Sequence, residues 1–172
     1  MKLMPQDILI MVKLAISDEP GWSYASLSFD LRMSPSMVHS AIARSSQARL
    51  FDQFLRRPRK NALEEFLIHG VKYAFPPDIG SMTRGIPTAY ASPAFAEHIS
   101  YDIEGEIYVW PHPEGKHRGL SLSPLYSSVP YIIKYDEHLY YALGLIDAIR
   151  IGRSREVKHA ENLLVDVLRN HD

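Results

Sequence analysis

The sequence predicts an α+β fold, with helices at both ends of the chain and short strands and loops between them. Apolar residues recur at helical spacing over residues 5–17 and again over 137–168. Residues 71–130 instead carry frequent proline and glycine and short aromatic runs, which are typical of short strands and ordered loops. We divide the chain into regions 1–72 and 73–172, and expect them to pack together because no flexible linker separates them.

Capping residues predict four helices in the first region. Proline suits the first position of a helix, and serine or asparagine suits the position before it. Such residues precede four runs with helical spacing: Pro5, Ser23, Ser34 with Pro35, and Asn61 with Glu64. Between the third and fourth helices, residues 49–60 alternate weakly and contain Pro58, which indicates a short β-hairpin or loop.

The end of the second region predicts two amphipathic helices. Asp136 can cap a helix over 137–150, and Ser154 can cap the last helix. The apolar faces of the two helices are Leu139, Leu143, Ile146 and Ile149 in one, and Val157, Ala160, Leu164, Val167 and Leu168 in the other. Asp147 interrupts the first of these helices, and it either pairs with Arg150 or contacts another chain.

An internal echo marks the middle of the chain. FPPDIGSMTRGI (75–86) and WPHPEGKHRGL (110–120) both run from an aromatic residue through proline and glycine to Arg-Gly. Each follows residues that resemble a strand, VKYA and EIYV, so each predicts a strand, a turn and a return strand. The echo makes a ligand or partner site possible at Arg84, His112, His117 and Arg118. In the plainer interpretation, which we prefer, the arginines pin loops by bonding to carbonyls and the histidines face solvent.

Charge is distributed unevenly along the chain. The whole chain carries a net charge of −1, which argues against a general nucleic-acid coat. Five cations fall within RLFDQFLRRPRK (49–60), opposed only by Asp52. A local basic stretch of this kind is what a DNA-facing surface needs, although a solvated loop would look the same.

The spacing of apolar residues predicts a tight turn between the second and third helices. Buried positions at fixed offsets are expected at Leu27, Leu31, Met33, Val38 and Ala41, with the small Ser28 where the helices approach. These offsets, followed by the basic stretch and a fourth helix, resemble winged helix-turn-helix transcriptional regulators of the MarR-like kind. The resemblance covers about residues 4–70 and departs from phage-type repressors at Arg32, where many of those have glycine.

The resemblance implies which residues contact DNA. In this family the third helix lies in the major groove with its N-terminal residues at base edges, and the wing meets phosphates. The implied DNA-binding residues are Ser34, Ser36, Met37, His39, Ser40 and Arg44 on the helix, and Arg56, Arg57, Arg59 and Lys60 beside it. Arg44 is expected to point outwards, at guanine or at a phosphate.

Several classes of function lack support in the sequence. No cysteine is present, which excludes disulfides and thiol catalysis and fits a cytoplasmic location. No run of 18 apolar residues suits a membrane span, and Asp7 and Lys13 interrupt the apolar N-terminus as a signal peptide would not. Because catalytic, nucleotide-binding and metal-binding motifs are missing, we expect neither an enzyme, nor a cofactor, nor a metal site.

Together these patterns predict a DNA-binding transcriptional regulator, a repressor or an autoregulatory protein, that reads an operator in double-stranded DNA as a homodimer. We expect residues 1–72 to form the winged helix-turn-helix domain that binds DNA, and residues 73–172 to form a domain for partner binding, sensing or dimerisation. HGVKYAFPP, RGIPTAY and LIDAIRIGRSRE also resemble uncharacterised bacterial winged-helix proteins that accompany nucleotidyltransferase-like toxins. That resemblance implies an antitoxin-like role with a toxin as protein partner. The alternatives are a protein-interaction module whose winged helix binds a protein partner rather than DNA, and a ligand-binding protein centred on Arg84 and Arg118.

Overall fold

Helices begin and end the chain and strands lie between them, as the mixed α+β prediction requires. The computed structural model describes residues 1–18, 21–97 and 106–170. The helices are α1 (Pro5–Ala15), α2 (Tyr24–Leu31), α3 (Pro35–Gln47), α4 (Lys60–His69), α5 (Val71–Ala74), α6 (Val129–Ile132), α7 (Glu137–Ile151) and α8 (Ser154–Arg169). The strands are β1 (Phe51–Asp52), β2 (Arg57–Pro58), β3 (Ile79–Thr88), β4 (Tyr108–Pro111) and β5 (His117–Leu122). Over the described ranges, no helix combines the length and the apolar character that crossing a membrane requires.

The helix starts follow the predicted capping residues in most cases. The Ser23 hydroxyl accepts the backbone N–H of Ser26 at 3.0 Å, and this bond starts α2. Ser34 in the same way accepts the N–H of Met37 at 3.2 Å and starts α3. The predicted Asn61 cap is wrong, because α4 begins two residues earlier than this cap implies, at Lys60, and has no side-chain cap.

The turn between α2 and α3 has the backbone conformation that glycine usually provides. Arg32 lies in the left-handed region, with φ 51° and ψ 48°. The Ser28 hydroxyl donates to the carbonyl of Met33, and the Met33 side chain is buried in the corner. Arg32 therefore has a backbone conformation typical of glycine, and its side chain is exposed to solvent.

Strands β3, β4 and β5 form one closed sheet instead of the two hairpins that the internal echo predicts. The long strand β3 pairs antiparallel with both β4 and β5, and β4 pairs parallel with β5. The predicted strand at VKYA is wrong, because these residues form the helical turn α5. Only the second copy of the echo therefore consists of strand, turn and strand.

One hydrophobic cluster runs through both regions of the chain. Helix α7 is buried on almost every side, and the predicted face of Leu139, Leu143, Ile146 and Ile149 is confirmed. Helix α1 contributes Ile8 to Val12, none of which has any solvent exposure, to the same cluster. The two regions pack together as expected, so the position of α3 is tied to the rest of the fold.

The buried carboxylate of Asp147 joins α7 to two strands of the sheet. It accepts hydrogen bonds from Thr88 Oγ1 at 2.7 Å on β3 and from Trp110 Nε1 at 2.8 Å on β4. Arg150, one turn further along α7, donates to its other oxygen at 2.8 Å, so the predicted Asp147–Arg150 pair is confirmed. Burial raises the pKa of Asp147, and the charge of Arg150 opposes this effect.

Arg150 extends the same network to two backbone segments. Its guanidinium donates to the carbonyl oxygen of Phe75 at 2.9 Å and to that of Ser123 at 3.3 Å. These segments precede β3 and follow β5 respectively. A single ion pair on α7 therefore holds both ends of the sheet region.

Replacing Asp147 by alanine should destabilise the protein by about 3–5 kcal/mol, because Arg150 would remain buried without its partner. Urea denaturation followed by circular dichroism measures this loss. Asp166→Ala is the matched control, since it removes an exposed carboxylate from α8 and should change stability by at most about 0.5 kcal/mol. Equal losses in the two variants would contradict the role given to Asp147.

Candidate functional site

The first half of α3 presents a polar surface to solvent. Ser34, Ser36, His39 and Ser40 are exposed, and we refer to these four residues as the α3 face. Val38, Ala41 and Ile42 turn the opposite side of the helix into the core. Because Ser36 and Ser40 are small, another molecule can approach the helix backbone closely here.

Two side chains of α3 are partly used within the protein. The imidazole of His39 stacks on the ring of Tyr24 from α2, with ring centroids 3.6 Å apart and planes 10° from parallel. Met37 is half-buried, and its sulfur accepts the hydroxyl of Tyr126 at 3.5 Å. The stack orients His39 at the surface, whereas Met37 is partly covered by the second region of the chain.

Arg44 does not point outwards, and this part of the prediction is wrong. Its Nε and Nη2 atoms donate to the two carboxylate oxygens of Asp7 at 2.8 and 2.7 Å. Asp7 has no solvent exposure and also accepts the backbone N–H of Met4 at 2.9 Å. The hydrogen bonds that Arg44 donates to Asp7 raise the pKa of Arg44 above its usual value. Arg44 therefore locks α3 to α1 rather than reading a base.

A basic hairpin, residues 51–58, follows α3. Strands β1 and β2 place Phe51 opposite Pro58 and Asp52 opposite Arg57. Arg57 and Arg59 are exposed, and Arg59 lies 3.6 Å from the carboxylate of Asp52. That carboxylate accepts the N–H groups of the hairpin turn, mainly from Leu55, which lowers the pKa of Asp52 and keeps it ionised. Asp52 thus shapes the turn and offsets part of its positive charge.

Trp22 anchors this hairpin to the start of α2. Its indole N–H donates to the carbonyl of Arg56 at 2.8 Å, and the guanidinium of Arg56 lies 4.5 Å from the ring centroid. Arg56 itself has a left-handed backbone, with φ 53°. Lys60 starts α4, is half-buried and interacts within the protein. Of the four cations predicted beside α3, Arg57 and Arg59 are therefore the most available.

The tip of the hairpin is apolar, although the basic residues of 49–60 indicate a charged surface. Phe54 is 94% exposed and Leu55 is 52% exposed. Large apolar side chains with this exposure often mark a contact surface. The adjacent apolar residues Phe54 and Leu55, followed by Arg56 and Arg57, were visible in the sequence, but only the two-residue strands place both side chains at the tip.

The possible ligand residues of the middle region do not form one cluster. Arg84 and Arg118 lie directly opposite each other on β3 and β5. His117 pairs with Gly85, so it faces the other side of the strand pair from Arg118. The ring of His112 packs 4.7 Å from that of Tyr131, and its Nδ1 accepts the N–H of Glu114 at 3.0 Å. The structure thus reduces the four residues to one pair of arginines.

Two residues that position the candidate site carry signals in the sequence. Asp7 is an acidic residue in the first turn of a largely apolar helix, and such a residue requires a partner for its charge once it is buried. Trp22 sits in the loop between two helices, where a large amphipathic ring needs both a hydrogen-bond acceptor and an apolar surface. Neither signal identifies the partner, because both partners lie more than thirty residues away.

The described residues contain no cluster of side chains that could hold a metal ion. In residues 1–18, 21–97 and 106–170, no three histidine, aspartate or glutamate side chains come together as metal ligands would. Comparison of the chain with family models, curated protein sequences and solved structures gives no match. The geometry of α3, the hairpin and the closed sheet is therefore the basis for inferring function.

Replacing Arg44 by alanine should cost about 3–5 kcal/mol of stability, because it leaves the carboxylate of Asp7 buried and unpaired. Arg57→Ala removes an exposed arginine and should cost at most about 0.5 kcal/mol. Urea denaturation of both variants separates the two roles. An Arg44→Ala variant as stable as Arg57→Ala would restore the outward-facing role that the sequence predicts.

Proposed function

We propose that this protein is a transcriptional regulator that binds double-stranded DNA through α3 and the hairpin. The observation that carries the proposal is the exposed polar α3 face, which lies on a helix in contact with β1 of a hairpin that carries exposed arginines. A helix of this kind fits the major groove, and neighbouring cations neutralise phosphates.

The arrangement of the first region supports a winged helix-turn-helix. Its order is α1, α2, α3, a two-stranded hairpin and α4, and α2 contacts α3 across a three-residue connection. The five apolar offsets predicted for the turn are all buried. The left-handed Arg32 supplies the corner conformation of such a turn.

Separate residues would position α3 and recognise DNA. The Asp7–Arg44 pair fixes α3 on α1, so the α3 face keeps one orientation relative to the core. Serine hydroxyls and the His39 ring can bond to base edges or phosphates, while Arg57 and Arg59 meet the backbone. Binding to a two-fold operator would take a homodimer, in the role of a repressor or of an antitoxin-like protein held by a partner.

A second candidate function is a protein-interaction module, and the apolar hairpin tip is the observation that favours it. Phe54 and Leu55 would fill a pocket on a protein, as exposed aromatic anchors commonly do. The same side chains could instead enter the minor groove as an apolar wedge. The two candidates therefore differ in what Phe54 contacts.

DNA binding should be measured with the region upstream of the protein's own gene and with random DNA, each at several salt concentrations. Arg57→Gln with Arg59→Gln should flatten the dependence of log K on log salt by about 0.9 for each phosphate that the variant no longer neutralises. Ser40→Glu places a negative charge on the α3 face and should abolish preference for the specific fragment.

Asn162→Glu is the control for Ser40→Glu, because it adds the same charge to an exposed position of α8. Its DNA affinity should stay close to that of the wild type. If the wild type binds neither fragment at low salt, the regulator proposal fails and the protein-interaction candidate replaces it.

Replacing Phe54 by serine tests whether the tip of the hairpin contacts DNA. The change should leave stability within about 0.5 kcal/mol of the wild type, because the side chain is 94% exposed. A hairpin that enters DNA predicts weaker DNA binding for Phe54→Ser. DNA affinity equal to that of the wild type would show that Phe54 does not contact DNA and leave the tip available for a protein partner.

A further inference from the structure

The register of β3 and β5 sets two arginines side by side. Arg84 and Arg118 are directly opposite in an antiparallel pair, and both are exposed. Side chains in such a pair project from the same face, with Cβ atoms about 4.5–5.5 Å apart. The next pair along this face is Met82 with Leu120, which adds no charge.

In the described part of the chain, no carboxylate forms an ion pair with either arginine. By contrast, Arg44, Arg59, Arg150 and Arg169 each have a carboxylate partner. Like charges directly opposite each other destabilise a sheet. An anion bound between the two guanidinium groups would reverse this effect.

The glycine that follows each arginine allows the strands of the sheet to pack closely. A Cβ atom at Gly85 would lie 2.1 Å from the carbonyl oxygen of Trp110, and one at Gly119 would lie 2.4 Å from that of Ile107. Both glycines therefore allow β3 and β5 to approach the backbone around β4 closely. The closed sheet fixes the backbone positions of the two arginines before any ligand binds, which lowers the entropic cost of binding.

We propose that Arg84 and Arg118 form a binding site for a phosphate group. Two guanidinium groups offer several N–H donors in planar forks, which match the oxygens and the charge of a phosphate better than those of one carboxylate. The phosphate belongs either to a nucleic-acid backbone or to a small phosphorylated ligand. This site is separate in sequence from the α3 face and the hairpin, so it goes beyond the proposed function.

The first arm of the test measures thermal unfolding of the full chain with increasing pyrophosphate. Wild-type Tm should rise by several degrees, and Arg84→Gln and Arg118→Gln should each lose most of that rise. Without pyrophosphate, each variant should melt about 1–2 °C above the wild type, because charge repulsion is relieved. Arg155→Gln, which removes an exposed arginine from α8, should keep the full response.

The second arm measures the salt dependence of duplex DNA binding for the wild type and the Arg84→Gln/Arg118→Gln double variant. A slope lower by about 0.9 for each arginine assigns the phosphate to a nucleic-acid backbone. An unchanged slope together with the absence of a pyrophosphate response in the double variant assigns it to a small ligand. A pyrophosphate response without any DNA binding supports this site and overturns the proposed DNA function alone.

The proposal is overturned when both arms show no dependence on the two arginines. In that result, pyrophosphate shifts the Tm of the wild type and of the double variant equally, or shifts neither Tm. The salt slope of DNA binding is also the same for the two proteins. Arg84 and Arg118 would then repel each other within the sheet without binding a phosphate.

Discussion

The buried carboxylate of Asp147 is the contact on which the second region of the chain depends. A carboxylate without access to water requires donors, and Thr88, Trp110 and Arg150 supply them from two strands and from α7 itself. Arg150 then carries the network to the carbonyl oxygens of Phe75 and Ser123. Apolar packing around α7 is non-directional, whereas these bonds select one placement of the closed sheet on the helix.

In the first region of the chain, a second buried carboxylate paired with an arginine joins α1 to α3. Asp7 on α1 is fully buried and is bound through both oxygens by Arg44 of α3. This pair uses the strongest cation of α3 inside the protein and leaves hydroxyl groups and one imidazole on the exposed face. The helix is therefore held rigidly by its second half and is free to contact another molecule by its first half.

Local patterns in the sequence predicted much of the fold, and long-range contacts account for what was missed. The caps at Ser23 and Ser34 and the amphipathic face of α7 depend on neighbouring residues, so they could be predicted. The closed sheet could not, because pairing of β3 with both β4 and β5 depends on contacts between distant segments. VKYA was misassigned because a short aromatic run suits a strand and a helical turn equally well.

The candidate site likewise combines local features that the sequence predicted with long-range contacts that it could not predict. Exposure of Ser36, His39 and Ser40 followed from helical periodicity, but the inward turn of Arg44 depends on Asp7, which lies 37 residues away. The availability of each cation in the hairpin depends in turn on Trp22 and on Asp52. Sequence periodicity indicates which side of a helix is polar, whereas the partner of each charge is decided by the fold.

Amide hydrogen exchange with and without duplex DNA from the upstream region tests the central claim most directly. DNA bound by α3 and the hairpin should slow exchange in residues 34–40 and 52–59 and leave α8 unchanged. Unchanged exchange in both of these segments, at a DNA concentration that saturates binding, would contradict the account.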